Sequence, residues 1–384
     1  MSKKVLMLAA KANMIQQFNH RNINILQDLG YEVHVATNMI DFGSMSATEN
    51  ERFKQWMSDN QVIAHQIDFE RRMGSLKGNI QSIKQLRTLF KQDNFSFIHV
   101  HSPLGSILGR LVAKQFKVPV IYTAHGFHFF KGASKLAWLV FYPLEWAFSF
   151  ITDTLITIND EDYALANKHM HAKRILKING IGVDVERALL VTNDCKKAAR
   201  QRIRHELNIP DDAFLMSSVG ELSDRKNHKI VLEALKMIPL AARQNIYYII
   251  AGTGSNSEML TTLANSFDFG KQFKLLGYRR DIHEINYASD VSVFPSFQEG
   301  LGIAGLDATI DGTYLIGSNR RGISDYIKQG INGSIIDPSD AVKLKTAILD
   351  NISCQDELFP HNDLVEFGIS KVDQKMTQLY KELL

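Results

Sequence analysis

Short apolar runs alternate along the chain with longer stretches in which apolar residues recur at helical spacing. In the first half the runs Lys4–Ala10, Tyr31–Thr37, Phe95–His101, Val118–Ala124, Asp153–Asn159 and Arg174–Asn179 predict strands. In the second half Ala213–Gly220, Ile246–Gly252, Phe273–Gly277, Asp290–Pro295, Thr313–Gly317 and Gly333–Asp337 do the same. Most are rich in Val, Ile, Leu and Phe without clean polar alternation, as in strands buried on both faces of a parallel sheet. Helices are predicted over Gln16–Leu29, Ile80–Lys91, Gly105–Gln115, Ser134–Phe150 and His228–Ile238. Strand–helix alternation of this kind winds right-handed βαβ units into a doubly wound sheet.

The two halves begin alike: Val5–Ala10 and Leu215–Gly220 each run into a polar loop and then a helix. The pattern predicts an α/β protein of two Rossmann-like, doubly wound domains facing each other across an interdomain cleft. The break falls between Gly182 and Pro210, where strands stop and the charged helical stretch Lys196–Leu207 intervenes. The domains are taken as residues 1–185 and 186–363, with a last helix over 364–384 that has no strand of its own to cover and can pack back on the first domain. Open α/β sheets bind ligands at the carboxyl ends of their strands, so the informative residues should follow strands.

Composition narrows the class. Of 384 residues 45% are hydrophobic and 22% charged, enough apolar material for two cores and unlike disordered or coiled-coil chains. Two cysteines, Cys195 and Cys354, exclude a disulfide scaffold or an all-cysteine metal site and suit a reducing cytoplasm. The N-terminal run reaches Lys11 and reads as a first strand, not a signal peptide. No uncharged run reaches the roughly 20 residues of a membrane span. The net charge of +3 does not argue for nucleic acid. Its distribution is uneven: residues 1–180 hold 21 Lys+Arg against 14 Asp+Glu, and the remainder 23 against 27. A basic first half and an acidic second half suggest different partners for the two.

The strongest chemical signal is PSFQEGLGIAGLDA, Pro295–Ala308, in which a strand ends, a loop carries Glu299, and Gly300-Leu301-Gly302 opens a helix. Close backbone approach, unpaired amides and the helix dipole suit a phosphate there. Glu299 and Asp307 are eight residues apart, about 12 Å along a helix. They cannot readily share a metal, but they could grip two ends of an extended ligand. A second signal is VGELSDRKNH, Val219–His228, where Arg225 and Lys226 follow Gly220 and could complete a diphosphate clamp. In HVHSPLGS and TAHGFHFF, His99, His101, His125 and His128 follow strands of the first half. They lack the carboxylate or cysteine complement of a metal set. In a cleft such histidines instead hydrogen-bond substrate or move a proton.

These motifs resemble the retaining glycosyltransferases of family 4, which have the GT-B fold. TDTLITINDED (Thr152–Asp162), NGIGVD (Asn179–Asp184), AGTGS (Ala251–Ser255), LGYRRDI (Leu276–Ile282), ASDVSVFPS (Ala288–Ser296), RRGISDYI (Arg320–Ile327) and GINGSIID (Gly330–Asp337) extend the likeness over nearly the whole chain. VIYTAHGFHFF brings it nearest to bacterial enzymes of capsule and exopolysaccharide assembly. The resemblance implies a nucleotide diphosphate sugar, UDP-linked, as donor. Lys226 would hold the diphosphate, with Gly220 and Arg225 beside it. Glu299 would bind sugar hydroxyls, and the amides of Gly300, Leu301 and Gly302 phosphate and sugar oxygens. Asp307 would take the ribose. Gly252 and the segment Tyr278, Arg279 and Arg280 would lie on the nucleotide side. His125 would sit beside the reacting sugar, with His101 and His128 on the acceptor side. No cofactor or metal is implied: lysine, amides and helix dipole stabilise the leaving diphosphate. In front-face attack the leaving phosphate takes the acceptor proton, and no protein nucleophile is needed. The chain departs from the pattern at Glu221, where an Arg is usual, at Asp307, where a Glu is usual, and at Ala9-Ala10-Lys11, where paired glycines are frequent.

The aromatic stretch SKLAWLVFYPLEWAFSF, Ser134–Phe150, is interrupted by Pro143 and Glu145 and is a poor span. It can lie at a membrane interface with Trp138, Tyr142 and Trp146 at the headgroups, or be a buried helix of the first domain. The expectation is a cytoplasmic sugar transferase with peripheral contact on the inner, anionic face of the membrane. Its acceptor would be a glycan or a polyprenyl-diphosphate-linked sugar. The rival readings are a GT-B-fold UDP-sugar epimerase, for which no acid–base pair is evident, and a degenerate binding subunit. A nicotinamide dehydrogenase is disfavoured because no G-x-G-x-x-G follows the first strand.

Overall fold

The first strand shows how the first sheet is built. In β1 (Lys4–Lys11), Leu6, Leu8 and Ala10 join the core on one face and Val5, Met7 and Ala9 the core on the other. Both faces are dry, which explains the unbroken apolar run. The structure is a computed structural model that describes residues 3–71, 73–353 and 362–383. β1 is followed by β2 (Glu32–Asn38), β3 (Ile63–Gln66), β4 (Phe95–His101), β5 (Val120–Ala124), β6 (Thr154–Thr157) and β7 (Arg174–Lys177). Among the described residues they form one parallel sheet of order β3-β2-β1-β4-β5-β6-β7.

The second sheet repeats the plan. β8 (Phe214–Val219), β9 (Ile246–Ala251), β10 (Phe273–Leu275), β11 (Val291–Phe294), β12 (Tyr314–Ser318) and β13 (Gly333–Ile336) run parallel in the order β10-β9-β8-β11-β12-β13. In both sheets strand order reverses beside the first strand, the topology that opens a ligand crevice at the carboxyl ends.

The chain divides into one unit of Met1–Gly182 with Ile369–Leu384 and a second of Val183–Gly368. The first boundary thus falls a few residues before 185, and residues 364–368 stay with the second unit. The C-terminal helix Ile369–Lys381 lies in the first unit, where Arg21 Nε meets Asp373 at 3.0 Å and the Tyr380 ring stacks at 5.9 Å on Phe97.

Three local features differ from the sequence reading. β3 was not predicted, because its four residues form a partly exposed edge without an apolar run. The helix predicted over Gln16–Leu29 is two, Ala12–Phe18 and His20–Asp28, broken at the buried Asn19, whose side chain donates to Met14 O at 3.2 Å. The helix Lys135–Ser149 buries only Ser149. Leu136, Leu139 and Phe150 at its ends and centre are 69%, 73% and 55% exposed. Its one carboxylate points inward: Glu145 accepts from Tyr122 at 2.8 Å and from the buried Arg110 at 3.2 Å. The inward side is therefore mixed, with Phe141 and Tyr142 packed on the core beside Glu145, while large apolar side chains also face outward. Among the described residues no helix is long and apolar enough to cross a membrane. Cys195 is a free, exposed thiol, and Cys354 lies outside the described residues.

Candidate active site

In the second unit the loops that follow β8, β9 and β11 are tied together by the backbone. The Gly220 amide donates to Ala251 O at 2.9 Å, and the Phe297 amide to Arg225 O at 2.9 Å. Asn227 donates through its side chain to Pro295 O at 3.2 Å and Pro338 O at 2.8 Å. The fit leaves no space at Gly252, where a Cβ would lie 1.9 Å from Gly220 O. The Gly252 amide in turn donates to Gly277 O at 2.8 Å, drawing in the segment after β10.

This frame seats a cluster of charge. Lys226 is 9% exposed and lies over the Phe294 ring at 4.6 Å. Its Nζ is 2.7 Å from Glu299 Oε1, and Arg225 Nη1 meets the same oxygen at 2.9 Å. Lys226 and Glu299 are both largely shielded from water, where their mutual attraction is strong, whereas Arg225 is partly exposed. Glu221 is exposed and turned to the Ser223 hydroxyl at 3.1 Å and to Arg225 at 3.7 Å.

Beside this cluster the helix Ile303–Asp311 begins. Gly302 stands before it at φ 82°, left-handed, and no side chain caps the first turn. A Cβ on Gly302 would approach the Phe294 ring to 2.8 Å. The Tyr326 hydroxyl donates to Gly302 O at 2.8 Å and Arg321 Nε to Glu299 O at 3.1 Å, fixing the loop through Gly300 and Leu301. The Leu301 side chain is in the core, so it offers only its backbone. The uncapped helix start adds partial positive charge, a setting for an anion.

Asp307 lies half-buried on this helix, and its pKa is raised to about 6, chiefly by lost hydration; the charge of Asp311 adds to this, while His283 and Arg187 oppose it. Asp311, one turn on, is fully buried and holds Arg187 at 2.6 Å, Asn286 at 2.7 Å and His283 at 2.8 Å. Sequence reasoning missed Asp311. The signal was its four-residue spacing from Asp307, which puts both on one helix face. Tyr278 and Arg280 are exposed after β10, and the guanidinium of Arg279 is taken up by Glu206 and Asp281, each at 2.6 Å.

In the first unit, β4 and β5 end in a row of imidazoles. His101 Nδ1 is 3.0 Å from His125 Nε2, and His101 Nε2 is 3.2 Å from Met7 Sδ. A thioether can only accept, so His101 carries its proton on Nε2 and accepts from His125 Nε2–H. His125 is then left with Nδ1 as an acceptor. Burial holds the pKa of His125 down at about 4, so the ring is neutral near pH 7. His101, expected on the acceptor side, is 1% exposed, which leaves it to act through His125. His99 is buried between Tyr380 and Thr123, at 2.8 Å from each, and serves the packing of the C-terminal helix. His128 is exposed, with its ring 4.6 Å from Phe141.

Two parallel Rossmann-like sheets in one chain are the architecture of the GT-B glycosyltransferases. Comparison with known proteins agrees. Residues 199–363 match the family Glycosyl transferases group 1, and residues 4–159 the family Glycosyl transferase 4-like. The chain is 32% identical over 346 residues to EpsD of Bacillus subtilis (strain 168), covering 89% of this chain and 85% of that one. It is 32% identical over 274 residues to an Escherichia coli UDP-Gal:alpha-D-GlcNAc-diphosphoundecaprenol alpha-1,3-galactosyltransferase, covering 69% and 68%. In fold it is similar to Anabaena HepE in complex with UDP and glucose, with TM-score 0.73, 16% identity and coverage of 99% and 100%. The chain belongs to the family 4 glycosyltransferases with the GT-B fold. It is a glycosyltransferase.

Proposed function

We propose that the protein moves a sugar, with retention of configuration, from a UDP-sugar to a lipid-linked glycan in the assembly of a cell-surface polysaccharide. The observation that carries this reading is the Lys226–Glu299 pair, 2.7 Å apart beside the uncapped helix start. With donor bound, Lys226 turns to the diphosphate and Glu299 is released to the sugar hydroxyls. Arg225, on the same Glu299 oxygen at 2.9 Å, keeps that carboxylate in place and supplies the cation that Glu221 does not. Asp307 accepts from the ribose. As the sugar–phosphate bond breaks, negative charge grows on the phosphate, and Lys226 with the helix amides stabilises it more than the ground state. The departing phosphate oxygen takes the acceptor's proton, so neutral His125 has only to accept a hydrogen bond. No divalent cation is required in this scheme.

The acceptor class is supported by the Escherichia coli relative, whose name gives a diphosphoundecaprenol acceptor and an alpha-1,3 product from UDP-Gal. It is supported as well by the helix Lys135–Ser149, whose outward apolar residues, next to Lys131 and Lys135, suit an anionic membrane surface. Incubating the full chain with UDP-sugars and polyprenyl-diphosphate acceptors tests the reading. UDP release that depends on acceptor, with an α-linked product by NMR, is expected. UDP-sugar consumed without a glycan product, or a β-linked product, would contradict it.

A further inference from the structure

A second cluster lies at the opposite, amino-terminal edge of the first sheet, away from the carboxyl ends that carry His125. β2 and β3 pair with His34 opposite Ile63 and Ala36 opposite His65, which brings the two histidines to one face. Their rings stack at 5.1 Å, and His34 Nδ1 is 2.8 Å from His65 Nε2. Asp93, the residue after helix Leu76–Gln92, places Oδ2 3.9 Å from the same His34 Nδ1. One donor atom from each of the three lies within 4.8 Å of the others.

We propose that His34, His65 and Asp93 form a binding site for a divalent transition metal of the Zn²⁺ class. The proton position on His34 favours this. Glu32 Oε1 stands 2.9 Å from His34 Nε2, so the carboxylate accepts Nε2–H and Nδ1 keeps its lone pair; without the ion that lone pair accepts from His65 Nε2–H, and His65 ligates as its Nδ1–H tautomer. A carboxylate behind a ligating imidazole is the usual support of such ligands. His34 is 2% exposed and wedged against Phe95 at 5.2 Å, so its ring is held. His65 and Asp93 are partly exposed and give an ion access. Two imidazoles and one carboxylate suit Zn²⁺ or Co²⁺ rather than Mg²⁺ or Ca²⁺. A tetrahedral ion needs donors roughly 3.3 Å apart, so the histidine pair opens from 2.8 Å and Asp93 closes on both rings from within 4.8 Å. Lys4 lies 2.6 Å from Asp93 Oδ1 and 3.2 Å from Glu32. It balances the carboxylates without the ion and leaves Asp93 Oδ2 to the metal. Water would fill the fourth position.

Co²⁺ titration of the full chain, followed by its visible d–d bands, tests the site. One equivalent is expected to bind and to be displaced by Zn²⁺. His65→Ala and Asp93→Asn, both at partly exposed positions, should each abolish the bands. Glu32→Gln should weaken binding by about 10- to 100-fold, as removal of a supporting carboxylate does. Zn²⁺ should raise the melting temperature of the parent and leave that of His65→Ala unmoved. No bands in the parent, or bands that survive in both His65→Ala and Asp93→Asn, would overturn the assignment.

Discussion

Asp307 and Asp311 lie one turn apart on the helix Ile303–Asp311, and the structure treats them in opposite ways. Asp311 is fully buried and held by Arg187, His283 and Asn286. Asp307 has no ion pair among the described residues, and lost hydration raises its pKa from 3.8 to about 6. A carboxyl raised in the folded state binds its proton more tightly there than when unfolded. Stability is therefore lost as pH rises from about 4 through 6 and stays lower above. Asp307→Asn should melt higher than the parent at pH 8 and match it near pH 4.

The same shift predicts the pH dependence of donor binding. In the proposed scheme the Asp307 carboxylate accepts from the ribose hydroxyls, so UDP-sugar affinity should fall below about pH 6. The diphosphate diester of the donor does not titrate there. Calorimetry at a series of pH values should show this limb in the parent and lose it in Asp307→Asn. A limb that persists in the variant would place the titrating group elsewhere.

His125 is held neutral by burial, with a pKa of about 4. His125→Ala should cut turnover strongly while UDP binding stays within a few-fold, because the residues proposed to hold the nucleotide are in the second unit. Equal loss of both would make it part of the nucleotide site.

Excess EDTA should leave turnover intact. In the proposed scheme Lys226, Arg225 and the helix start supply the positive charge. Loss of activity that Mg²⁺ restores would break that account.

Leu139 is 73% exposed on the helix Lys135–Ser149, so Leu139→Ser should weaken binding to anionic vesicles with little change in melting temperature. Trp138→Ser should cost some stability as well, because its indole donates to Phe130 O at 3.2 Å and packs edge-on against Phe129. Unchanged vesicle binding by Leu139→Ser would remove the membrane role of this helix.

The buried strands were readable because both faces are dry and the apolar run marks them directly. β3 was not, since an edge strand of four residues needs no such run. The pattern of Ser134–Phe150 gave the helix but not the inward turn of Glu145, which depends on Arg110 and Tyr122 meeting it from distant elements. Lys226 and Glu299 were legible as motif residues after strands. Their direct pairing, with Arg225 as third partner, was not, because it arises from two loops 73 residues apart. His34 and His65 were passed over for a similar reason: only the β2–β3 register makes them neighbours.

The most direct test of the central claim is turnover and UDP-sugar binding in Lys226→Ala and Glu299→Gln. Lys226→Ala removes charge that matters most as the diphosphate leaves. Its kcat should fall by about 10²-fold or more, the range lost with one oxyanion-type donor, and by more than donor affinity does. Glu299→Gln should also lower kcat and change the preference among donor sugars, while binding of UDP alone stays near the parent value. Turnover that survives both changes would contradict the account, because donor and leaving group would then be held by other residues.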